Sequence, residues 1–130
     1  MITFHLDTRS GLAPYLQLVQ QVKHALRLGM LEVGDQLPTI KEVVTALAIN
    51  PNTVLKAYRE LEYEGLTESR PGQGTFVIKT LAGPSLESHA ALRRRLAAWI
   101  KEALMAGLDE ESIEALFLDT LRGVANEGVA

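Results

Sequence analysis

Four polar side chains, Asn50, Asn52, Thr53 and Lys56, crowd the start of the run INPNTVLKAYRELEYEGL at residues 49–66. A carboxamide such as Asn52 carries a donor and an acceptor side by side, the complement of an adenine edge. A threonine hydroxyl suits phosphate oxygens, and a lysine ammonium can reach a phosphate or a guanine. A second polar group, Arg70, Gly72, Gln73 and Gly74, lies in RPGQG, where a cation rides beside a tight turn. Thr39 and Lys41 precede both groups. These types point to recognition of a polyanion rather than to bond making. Each also has a plainer use. Asn50 is first of all a helix cap, Gly72 and Gly74 are turn residues, and Lys41, Lys56 and Arg59 would serve equally as solvated helix positions.

Groupings for catalysis are absent. His5, His24 and His89 stand apart, without an HExxH or a carboxylate cluster beside them. GQGTFV is not a phosphate-binding GxGxxG, because it follows a turn and Val77 takes the last glycine's place. There is no cysteine, so neither disulfides nor thiolate metal sites arise. No enzyme activity, cofactor or metal is expected. Apolar residues are 47% and charged residues 22% of the chain, the balance of a folded globular protein rather than a disordered one. The N-terminus lacks a signal-peptide pattern and no apolar run approaches a membrane span, so a cytoplasmic protein with no membrane partner is expected.

Net charge is −3, at first sight poor for a polyanion ligand. Its distribution removes the objection. Residues 1–80 hold eight Lys/Arg against eight Asp/Glu, whereas residues 81–130 hold five against eight. The neutral part retains the means to present one basic face.

The elements that must position these groups are legible in outline. Residues 2–6 are expected as a short strand. Pro14 suits a first helical position, and Tyr15, Leu18, Val19, Val22, Ala25 and Leu26 form one apolar stripe that Gly29 ends. EVGDQLP at residues 32–38 reads as a loop. Thr39, with Glu42 three residues on, forms a capping box for a second helix that buries Val43, Val44 and Leu47. Asn50 and Pro51 are then the cap and first residue of a third helix, and Gly65 is its stop. Val54 and Tyr58 belong to its core side. LTESRPGQGTFVIK follows as a hairpin.

LAGP at residues 81–84 reads as a linker between a domain at 1–80 and a tail at 85–130. The tail carries two stripes, Leu92/Leu96/Trp99/Ala103 and Ile113/Phe117/Thr120/Val124, separated by Gly107. Asp109 caps the second, with Glu110 and Glu111 near its positive end. One helical hairpin cannot bury both stripes, so Leu92, Leu96, Trp99, Ala103, Ile113, Phe117 and Val124 are expected to pair with a second copy. Arg93, Arg94 and Arg95 fan around a helix axis and read as a solvated or intersubunit face.

GDQLPTIKEVVTALAINPNTVLKAYRELEYEGLTESRPGQGTFV, residues 34–77, resembles the DNA-binding domain of GntR-family bacterial transcription regulators. INPNTVLKAYRELE and the F-x-L-D opening at Phe4 to Asp7 are similar to its short YtrA-type branch. The resemblance spans about residues 4–78 and implies an α+β fold: an N-terminal winged helix-turn-helix with a small C-terminal α-helical hairpin. In such a motif the second helix of the pair enters the DNA major groove. The family's usual Ser-x-Arg-Glu after Leu-Pro is met here by Thr39 and Lys41. A lysine keeps the charge without the bidentate fork, which favours phosphate over base reading. The family's frequent Ser-Arg-Thr-Thr is met by Asn50, Pro51, Asn52 and Thr53, so base reading shifts to Asn52. Arg70, Gly72, Gln73 and Gly74 match the wing.

The resemblance thus implies a homodimeric repressor of the inverted-repeat type, with double-stranded DNA as partner and no specified small-molecule effector. A winged helix used only for protein interaction is the competing reading. A docking surface for protein would be apolar or aromatic where Asn50, Asn52 and Thr53 stand.

Overall fold

The computed structural model describes residues 2–83 and 86–128, with the backbone alone at 86–88 and 128. Helix signals act where they stand. Pro14 opens α1 (Pro14–Arg27), which buries Leu18, Val19, Val22, Ala25 and Leu26. Gly29 ends it at φ 71°, and the Met30 N–H reaches back to the Ala25 carbonyl at 2.8 Å. Thr39 caps α2 (Ile40–Leu47) through the full box. Its hydroxyl accepts from the Glu42 N–H at 3.1 Å and donates to Glu42 Oε1 at 3.0 Å, and that oxygen also accepts from the Thr39 N–H. Asn50 caps α3 (Pro51–Tyr63), its Oδ1 accepting from the Asn52 N–H at 2.8 Å. Gly65, at φ 76°, stops α3 while the Leu66 N–H bonds the Leu61 carbonyl at 3.0 Å.

The link between α2 and α3 holds a feature that no residue type announced. Ala48 takes φ 53° and ψ 48°, and among the described residues no other non-glycine has positive φ. The chain passes from α2 to α3 within three residues there, and the left-handed position ends the first helix.

β1 (Thr67–Arg70) and β2 (Gly74–Val77) pair antiparallel, with Thr67 opposite Val77 and Arg70 opposite Gly74. Pro71 and Gly72 make the turn between them. The Gln73 N–H donates to the Arg70 carbonyl at 2.9 Å and Gly72 sits at φ 74°, the pattern of a type II turn. This is the wing.

Two segments differ from expectation. Within the loop at 32–38, Gln36 bridges to Phe76, the Leu37 N–H donates to the Thr75 carbonyl at 2.9 Å, and the Val77 N–H to the Asp35 carbonyl at 2.8 Å. The free edge of β2 needs backbone partners, and this stretch supplies them. Residues 2–6, by contrast, form no strand. Side chains of α1 replace the missing ladder. Gln21 accepts from the His5 N–H at 3.0 Å and donates to the His5 carbonyl at 2.7 Å; Gln17 brackets Asp7 in the same way at 2.9 and 3.1 Å. Phe4 drops from that segment into the core.

The core gathers Leu18, Val22, Leu26, Leu37, Val54, Leu61 and Val77, with α1 and α2 both packed on α3. Burying each such side chain contributes roughly 1.5–3 kcal/mol. Tyr15, Val44 and Leu47 lie at the core's edge, half-buried, rather than inside it as their stripes imply. An eight-residue α2 is too short to enclose more than Val43.

The chain clusters into two compact units, Met1–Leu86 and Glu87–Ala130. Of the expected linker, Leu81 rests against the first unit's core, and Pro84 lies outside the described residues. The second unit holds α4 (Leu86–Met105) and α5 (Glu110–Gly128), joined through Gly107 at φ 95°. Asp109 Oδ1 accepts from the Ser112 N–H at 2.8 Å, and its bonds to Ser112 hold the carboxyl below the usual range. Among the described residues, the packed pairs of elements are α1 with α3, α2 with α3, α3 with β1, and β1 with β2, and α4 with α5 is not one of them. The fold is α+β, a winged helix-turn-helix followed by two C-terminal helices.

Candidate nucleic-acid interface

Capping decides which polar groups stay available. The Thr39 hydroxyl is spent in both directions on Glu42, and Asn50 Oδ1 on the Asn52 N–H. These two position backbone before they touch anything else. Asn52 is different. It is exposed at the second position of α3, and among the described residues its carboxamide takes part in no hydrogen bond. Lys41, exposed on the first turn of α2, is likewise unengaged. Thr53 is half-buried one residue beyond Asn52.

Tyr58 ties these helices together. It is buried in the core, as its spacing implies, and its hydroxyl donates to the Pro38 carbonyl at 2.6 Å. Burial first, and then the Glu42 carboxylate, push its ionisation well above the usual tyrosine range. The residue is a neutral donor that ties the middle of α3 to the entry of α2.

The wing comes close to that same entry. A cleft of about 380 Å³ lies between them, lined by Thr39, Ile40, Arg70, Gly72, Gln73 and Gly74. Thr39 and the wing residues are thus brought together, while Asn50, Asn52, Thr53 and Lys56 lie along α3 outside the cleft. Gln36 braces the wing tip, its Nε2 donating to the Gln73 carbonyl at 3.0 Å. Gly74, at φ 127°, lies against that brace: a Cβ there would come within 2.5 Å of Gln36 Nε2. Gln36 was not among the residues the sequence singled out, because nothing in EVGDQLP shows a contact thirty-seven positions away.

Two of the cations near these polar groups, Lys56 and Arg70, rest on rings. Lys56 Nζ stands 4.1 Å from the centroid of Tyr15, and Arg70 Cζ stands 4.3 Å from that of Phe76. Arg70 Nε also pairs with Glu68 Oε1 at 2.7 Å. Tyr15 read as one more core position, and Glu68 and Phe76 as ordinary strand residues. Only the packed structure shows them holding charge.

In the second unit the expected stripes remain largely open. Ala103 and Ile113, nearest the turn, are buried, Trp99 is half-buried, and Leu92, Leu96, Phe117 and Val124 are exposed. Leu96, Trp99, Ile100 and Leu104 of α4 face Ile113 and Phe117 of α5 across an apolar groove of about 540 Å³. Among the described residues no His, Cys, Asp and Glu cluster could hold a metal ion, and no helix is long and apolar enough to cross a membrane.

A polar helix start beside a braced, glycine-turned wing defines a helix-turn-helix DNA-binding protein of the winged type. Residues 14–77 match the family described as bacterial regulatory proteins, gntR family. The chain is 36% identical over 109 residues to the HTH-type transcriptional repressor YtrA of Bacillus subtilis (strain 168), spanning 83% of this chain and 84% of that one. Among solved structures it is similar to a transcriptional antiterminator from Listeria monocytogenes EGD-e, at 32% identity and TM-score 0.58, over 92% of this chain and 90% of that one. It is also similar to YtrA from Sulfolobus acidocaldarius, a GntR-family transcription factor, at 29% identity and TM-score 0.54, over 78% and 96% of the two chains. The chain belongs to the GntR family of transcription regulators. These relatives carry the names of regulators, not of enzymes.

Proposed function

We propose that the chain is a dimeric, sequence-specific repressor of transcription that binds an inverted-repeat operator in the cytoplasm. The observation that carries the reading is Asn52, an exposed and unengaged carboxamide on the first turn of α3, in a fold whose corresponding helix enters the major groove. In this reading Asn52 reads a base edge, Thr53 and Asn50 line the same turn, and Lys41, Lys56, Thr39, Arg70, Gly72, Gln73 and Gly74 approach the backbone. Residues 1–80 bind DNA, 81–84 link, and 85–130 bring two copies together. The repressor named among the relatives supports the direction of control.

Dimerisation is supported by the open state of the tail. On the two helices joined through Gly107, Leu92, Leu96, Phe117 and Val124 are left exposed to water, which a second tail would relieve. A two-fold dimer presents two recognition helices to half-sites about one helical turn apart. The test joins sedimentation to DNA titration. The parent should sediment as a dimer and bind a duplex selected from random DNA at about 10⁻⁸ M or tighter. Trp99→Glu should be a folded monomer whose affinity falls towards the non-specific range, on the order of 10⁻⁵ M. A variant that stays dimeric, or a monomer that binds as tightly as the parent, would overturn the dimer reading.

A further inference from the structure

We propose that Tyr15 and Phe76 are positioning residues for DNA binding, the one ring holding Lys56 and the other Arg70 in place to meet phosphate. The inference rests on the DNA-binding reading above and adds to it two residues from outside the recognition turn. Lys56 Nζ lies 4.1 Å from the Tyr15 centroid and the Arg70 guanidinium carbon 4.3 Å from the Phe76 centroid. Both rings are half-buried, and their surroundings hold them. Tyr15 sits on the first turn of α1, which packs along α3, and Phe76 pairs with Glu68 across the wing and with Gln36 on its other side.

A cation over a ring face is attracted by the ring quadrupole and keeps donors for a second partner. The ammonium has three N–H bonds and the guanidinium five in its plane, so contact through one side leaves others pointing outward. Long basic side chains otherwise lose much rotamer freedom when they dock on phosphate. Here the ring has already removed part of that freedom in the unbound protein. Arg70 is held on two sides, by Phe76 below and by Glu68 Oε1 at 2.7 Å. Because the cations meet phosphate and not bases, the rings should set affinity for all sequences and leave sequence preference unchanged.

The test is a pair of double-mutant cycles in the full-length protein, titrated on the selected duplex and on a random-sequence duplex. Tyr15→Leu keeps apolar bulk but removes the quadrupole, and should weaken binding to both duplexes by about two- to five-fold. Tyr15→Phe should bind as the parent does. In a Lys56→Ala background Tyr15→Leu should have no further effect, and Phe76→Leu should behave alike in an Arg70→Ala background. An equal loss with and without Lys56 would mean a merely structural role and overturn the proposal. So would a loss in Tyr15→Phe, which would assign the contact to the hydroxyl. Lys56→Ala binding as tightly as the parent would instead overturn the phosphate role of Lys56 itself, a separate failure.

Discussion

The Tyr58 hydroxyl donates to the carbonyl oxygen of Pro38 at 2.6 Å, so the core of α3 holds the residue that leads into the cap of α2. Besides the packing of α2 on α3, the two helices of the DNA-binding pair are therefore tied through one neutral phenol. Removing it leaves a buried carbonyl without a partner.

Tyr58→Phe should cost about 1 kcal/mol of stability, read from denaturant midpoints at neutral pH. It should also change the response to alkali. The folded-state ionisation of Tyr58 is raised above its ordinary 10.0, so its contribution is full below that pH and is lost as pH rises beyond it. The parent should lose stability above about pH 10 more steeply than Tyr58→Phe. Parallel pH profiles for the two proteins would contradict this.

Ala48 offers the opposite sign. It is exposed and its backbone is left-handed at φ 53°. Glycine removes the Cβ conflict, worth about 1–2 kcal/mol, against a loss of unfolded-state restriction of roughly 0.5–1 kcal/mol. Ala48→Gly should raise the melting midpoint slightly and leave DNA affinity intact. A lower midpoint would show that the link is not strained.

Asn52 and Lys56 should fail differently. Asn52→Ala should lose about 1–3 kcal/mol on the selected operator and little on random DNA, relaxing sequence preference. Lys56→Ala should weaken all duplexes alike and lower the slope of log affinity against log salt by roughly 1. Titrations at several salt concentrations separate the two, and equal loss of preference from both would remove the distinction.

Gly74→Val tests the wing. The new side chain must take φ 127° and displace Gln36 Nε2 from the Gln73 carbonyl. Strain of this kind costs on the order of 1–3 kcal/mol, concentrated in the hairpin. Helical content by circular dichroism should stay near the parent's while affinity for DNA falls. Unchanged affinity would place the wing outside the contact.

Most of the helical framework was legible because its signals are local. Pro14, the Thr39–Glu42 box and the Asn50–Pro51 start act within one turn, and Gly29, Gly65 and Gly107 stop helices through their own φ. The wing turn at Pro71 and Gly72 is local in the same sense. So was the placing of Asn52 on an open first turn. What the residues by themselves determined is therefore the order of elements, their ends, and the polar character of the α3 start.

Tertiary structure decided the rest, because the deciding partners lie far along the chain. Residues 2–6 alternate like a strand, but His5 meets Gln21 of α1 instead of a neighbouring strand, and Asp7 just beyond them meets Gln17. Gln36 becomes a brace only when residues 34–37 fold onto β2. Lys56 and Arg70 carry the same charge wherever they stand, and only packing sets Tyr15 beneath one and Phe76 beneath the other. A pattern in sequence reports which face of an element is apolar; which group lies opposite that face is settled only when non-local contacts close.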